Sequence, residues 1–98
     1  MPYIDKTNRV ELNEGKRPAA NPGELNYQVT ELLIEYVWQH GRCYQTFNDI
    51  MGALEGAKLE FYRRVAGPYE DRKILDNGDV YPEAMIDPNK SLIRKNDG

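Results

Sequence analysis

Apolar side chains recur at Phe47, Ile50, Met51, Leu54, Ala57, Phe61 and Val65, three and four residues apart, along one side of a 3.6-residue helix. The spacing predicts a helix from about Tyr44 to Ala66, roughly 34 Å long at 1.5 Å per residue. Gly52, Ala53, Gly56 and Ala57 occupy neighbouring rows, where their small side chains would admit a second backbone. A glycine inside a helix costs roughly 0.5 to 1 kcal/mol against alanine, so two of them a turn apart call for a compensating contact. Phe47, Met51, Gly52, Leu54, Gly56, Phe61 and Val65 are therefore the expected packing residues, with helix-helix contact as the first explanation and room for a ligand as the second.

An earlier apolar stripe, Leu25, Val29, Leu32, Leu33, Tyr36 and Val37, predicts another helix between Pro22 and Gly41. Its ends carry local signals. Asn21 suits the N-cap, Pro22 the first turn where no amide donor is needed, and Glu24 stands three residues after the cap to complete a capping box. Gly41 suits the stop, and His40 lies where a cation favours the helix end. Trp38, at the edge of the stripe, is placed to reach a partner subunit or the N-terminal arm. Thr46 and Asp49 offer a cap for the following helix.

The remaining segments are shorter. Gly15, Pro18, Pro22 and Gly23 break up residues 1–23, of which 1–22 form an N-terminal arm that Tyr3, Ile4, Val10 and Leu12 can anchor and that has room for a helical turn near 5–13. Gly67-Pro68 is expected to end the long helix, because proline lacks an amide donor and restricts its predecessor. A third, short helix then runs from Tyr69 to Asn77-Gly78, its acidic start suiting the helix dipole. Residues 82–98 read as an irregular tail, with Met85, Ile86, Leu92 and Ile93 as possible anchors. The expected organisation is an all-α domain over 23–81, with two long antiparallel helices and a short C-terminal helix. A chain this small cannot hide every apolar face alone, so a homo-oligomer is expected, most simply a two-fold dimer through the second long helices.

Composition narrows the function classes. Ninety-eight residues suit one domain, and 40% hydrophobic with 30% charged residues is ordinary for a folded, soluble chain. A net charge of −3 gives no overall attraction to nucleic acid. No apolar run approaches the roughly 18 residues of a membrane span, and the N-terminus lacks signal-peptide character, so a cytoplasmic protein is expected. The single Cys43 cannot form an internal disulfide.

No catalytic constellation, metal site or cofactor motif emerges. His40 and Cys43 lack a third orienting group and are too few to ligate a structural zinc. Glu31, Glu35, Glu55, Glu60, Glu70 and Asp71 invite comparison with all-helical nucleotide pyrophosphohydrolases, which hold magnesium on clustered carboxylates. Glu55 and Glu60, however, are about 140° apart around a helix. They are better suited to pairing with Lys58 and Arg64. The best ligand candidates are Tyr62, Arg63, Arg64 and Tyr69, since guanidinium forks recognise phosphate and tyrosines stack on bases. The same residue types also populate interface rims.

GELNYQVT at 23–30, NDIMGALEGAKLEFYRRV at 48–65, PYEDRK at 68–73 and NGDVY at 77–81, with the opening PYIDKTNRVEL, resemble a family of short uncharacterised proteins of tailed phages and prophage-bearing bacteria. The resemblance covers about residues 2–81. Cys43 departs from the hydroxyl residue expected at a helix start, and the tail beyond Tyr81 has no counterpart. The resemblance implies a phage or prophage source and a compact helical domain, and it carries no assigned activity or catalytic residue. The leading expectation is a non-enzymatic accessory protein acting through assembly or contact with a host protein. The alternatives are sequestration of an anionic nucleotide-like ligand and magnesium-dependent nucleotide pyrophosphohydrolysis.

Overall fold

A computed structural model describes residues 1–92 as helices joined by short turns, with no β-strand among the described residues. Helix α1 spans Lys6–Asn13, α2 Pro22–His40 and α3 Tyr44–Phe61; a π-helical turn, Tyr62–Ala66, leads into α4, Gly67–Asn77, and α5 is a single turn, Glu83–Ile86. The all-α expectation holds. The chain forms two compact units, Met1–Gly56 and Ala57 onward.

In the first unit, the arm is more ordered than its turn-forming residues suggested. Asp5 caps α1 by accepting from the Thr7 amide at 2.8 Å. Leu12 on α1 and Tyr27 on α2 are each only 6% exposed, and they form the apolar centre where α1 seats on α2. Asn13 Nδ2 donates to the Tyr27 hydroxyl at 2.8 Å, so the ring is buried without orphaning its polar end.

Helix α2 has the expected bounds. Asn21 Oδ1 accepts from the Glu24 amide at 2.9 Å, and Pro22 fills the first turn. The capping box is only half realised, because the Glu24 carboxylate accepts from the Ala20 amide at 2.8 Å and from Arg17. Gly41 adopts φ 91°, a left-handed conformation that favours glycine, and its amide donates to Val37 O at 2.7 Å.

Thr46 is not a cap: among the described residues it is the most buried polar one, at 2% exposed, and its hydroxyl donates to His40 O at 3.4 Å across the α2–α3 turn. Asp49 accepts from the Tyr36 hydroxyl at 2.9 Å and from Gln45 Nε2 at 2.7 Å. This bridge joins α2 to α3 through side chains, without close backbone approach.

In the second unit, Gly67-Pro68 does not interrupt the helix. The Gly67 amide donates to Tyr62 O, five residues back, and the widened turn carries the chain directly into α4. Widening resolves a local conflict, since proline supplies no amide and crowds the carbonyl four residues earlier. Gly78, at φ 86°, stops α4 with its amide on Ile74 O at 2.8 Å. The tail contains the unexpected turn α5, with Lys90 Nζ 2.8 Å from Glu83 Oε2. Met85, Ile86 and Leu92 are exposed, so within the described residues they do not dock the tail; Ile93 lies outside those residues.

Candidate functional site

The densest polar cluster belongs to Arg17, which sequence reasoning passed over. Its Nε donates to Glu11 at 2.8 Å, its Nη1 and Nη2 grip the two Glu24 carboxylate oxygens at 2.6 and 2.9 Å, and Nη2 also reaches Asn8 Oδ1 at 2.9 Å. Nη1 makes a further bond to Pro18 O at 3.3 Å. Glu24 is 5% exposed, and the Arg17 fork with the Ala20 amide lowers its pKa from the ordinary 4.5 to about 2. Hydrogen bonds from both glutamates raise Arg17 further above its ordinary range. With its donors directed inward, this arginine ties the arm to α2 rather than presenting a cation to a ligand.

The predicted ligand group is distributed differently. Tyr62, Arg63 and Arg64 occupy the π-helical turn, Tyr69 lies in α4, and all four side chains are exposed. Arg63 Nη2 holds both Glu60 carboxylate oxygens, at 3.0 and 3.1 Å, where the sequence suggested Arg64 as that glutamate's partner. Lys73 Nζ stands 5.5 Å from the centre of the Tyr69 ring. The four residues line none of the grooves described below. Among the described residues, no group of three His, Cys, Asp or Glu side chains is placed to share a metal ion.

His40, at the end of α2, packs its ring 4.2 Å from that of Tyr36. The hydrogen bond to the Asp49 carboxylate raises the Tyr36 pKa. Cys43 is exposed, with Sγ 3.3 Å from Thr46 Oγ1; the Thr46 hydroxyl and amide lower the thiol pKa. Among the described residues, the side chain that meets the thiol is Thr46, which is no base.

Many large apolar side chains are left uncovered. Phe47, Met51, Leu54, Phe61 and Val65 are all exposed, and a Cβ added at Gly52 or Gly56 would meet nothing within 4 Å. Among the described residues, the expected packing stripe is left uncovered in each unit. Helix α2 presents a second open surface. Trp38, 84% exposed, joins Asn13, Glu31, Leu32, Ile34 and Glu35 around a groove of about 610 Å³. A smaller groove of about 350 Å³ is lined by Leu32, Leu33, Tyr36, Asp49, Ile50 and Ala53. Isolated exposed apolar residues are ordinary, whereas contiguous ones mark contact surfaces.

A family model described as "Domain of unknown function (DUF6899)" matches residues 1–80. The chain belongs to this family. The match takes in α1 through α4, and therefore both the α3 stripe and the α2 groove. No curated protein and no solved structure matches the chain. Among the described residues, no helix is long and apolar enough to cross a membrane.

Proposed function

We propose that this chain is a non-enzymatic helical assembly protein, a phage or prophage accessory factor that acts in the bacterial cytoplasm through protein-protein contact. One observation carries the reading: Leu12 and Tyr27 are the buried apolar side chains of the core, while the α3 stripe remains open. Full burial of a large apolar side chain is worth about 1.5 to 3 kcal/mol. A stripe of this size can therefore offset an association cost of roughly 4 to 15 kcal/mol, which one or two contacts could not. The simplest arrangement sets the α3 stripes of two copies against each other, with Gly52 and Gly56 admitting the partner backbone. A self-complementary contact of this kind closes as a two-fold dimer.

Assembly of this kind makes stability depend on protein concentration, because association stabilises the folded state by mass action. The thermal midpoint is expected to rise steadily across a hundredfold increase in concentration. A midpoint independent of concentration, in a protein whose solution mass is that of one chain, contradicts the proposal. Calorimetry against mononucleotides and cyclic dinucleotides is expected to show no binding; saturable binding lost in Arg63→Ala or Arg64→Ala would instead favour nucleotide sequestration.

A further inference from the structure

Resting on that reading, we infer that a second contact joins copies of this chain head to tail, with the α2 groove of one copy receiving the Tyr69-Arg72-Lys73 face of α4 from another. Glu31, Glu35 and Trp38 are spaced i, i+4 and i+7, so two carboxylates and an indole lie along one side of α2. All three are exposed and line the same groove, to which Leu32 and Ile34 add apolar lining. The whole of Pro22–His40 contains three glutamates and no lysine or arginine. This surface is an apolar slot with an acidic rim.

The matching chemistry occurs once the chain enters its second unit. The match is local to one face, because α4 as a whole carries Arg72 and Lys73 against Glu70, Asp71 and Asp76. On α4, Tyr69, Arg72 and Lys73 are spaced i, i+3 and i+4, which places an exposed aromatic ring between two cations. Lys73 already lies over the Tyr69 ring, and Arg72 makes only a 3.8 Å contact with Asp76. An exposed pair at that distance exchanges readily for another carboxylate. Trp38 offers a ring face to an incoming cation, while Tyr69 offers an apolar body to Leu32 and Ile34.

The two surfaces differ, so their contact is heterologous and generates a ring or an open filament rather than a closed pair. Combined with the self-complementary α3 contact, it builds particles larger than two chains. Charge steering also makes this step more sensitive to salt than the α3 contact.

The test uses light scattering on the full chain and its charge-reversed variants. The wild type is expected to form particles larger than two chains. Glu31→Lys/Glu35→Lys and Arg72→Glu/Lys73→Glu are each expected to fall back to two-chain particles. Mixing the two variants should restore the larger mass, because each reversed surface then finds its complement on another copy. The variant carrying all four changes should assemble as the wild type does, which separates interface loss from misfolding. A wild type that stops at two chains, or reversals that leave the larger particle intact or are not rescued by mixing, would overturn the head-to-tail contact while leaving the α3 dimer standing. A wild type that is a single chain at every concentration overturns both.

Discussion

Arg17 reaches side chains before and after it in the chain, and the chemistry of its guanidinium fork makes two residue-scale predictions. A lysine retains the charge but cannot reproduce the paired grip on Glu24 together with the bonds to Glu11 and Asn8. Arg17→Lys is therefore expected to lower the thermal midpoint and speed amide exchange in α1, and unchanged exchange there would show that the fork is dispensable. The second prediction concerns acid. Because the folded pKa of Glu24 is depressed from 4.5 to about 2, its contribution is fully present above about pH 4.5 and is lost as pH falls toward 2. Denaturant unfolding at pH 6 and pH 3 should show this loss, and Glu24→Gln should flatten it. In the small apolar centre, Leu12→Ala is expected to cost about 2 to 5 kcal/mol, measurable by the same unfolding experiment.

At the scale of elements, the two ends of α2 were legible because their signals are local: Asn21, Pro22, Glu24 and Gly41 act within a turn of the positions they define. Helix α1 lies where a helical turn near 5–13 was expected, but its anchorage was not legible in its own pattern, since it comes from Arg17, just beyond its end, and from Tyr27 on the next helix. Gly67-Pro68 read as a stop because proline breaks α-helical hydrogen bonding, yet the π-turn absorbs the defect and the helix continues. A Cβ at Gly67 would lie 3.1 Å from Tyr62 O, a contact that the backbone must move to relieve. Gly67→Ala alone is therefore expected to lower the thermal midpoint. Adding Pro68→Ala should reverse that loss by letting the turn relax to α-helical geometry. A Gly67→Ala protein more stable than wild type with Pro68 in place would refute the proposed tightness.

For the whole molecule, periodicity identified the α3 face but could not say what covers it, because a stripe records only that a partner is needed. The ligand group was legible as a set of residue types and not as a site, since Arg63 turned to Glu60 and its neighbours remained spread over an open surface. If α3 is the proposed contact, stability depends on what it meets in solution. Gly56→Leu should weaken self-association through overpacking, at a cost of roughly 1 to 3 kcal/mol, although an isolated chain leaves that position open. Retained assembly with higher thermal stability would place Gly56 outside the contact. The most direct test of the account is the solution mass of the wild-type chain by light scattering across micromolar concentrations. A mass at or above two chains that falls on dilution is the predicted result; the mass of a single chain at every concentration would contradict it.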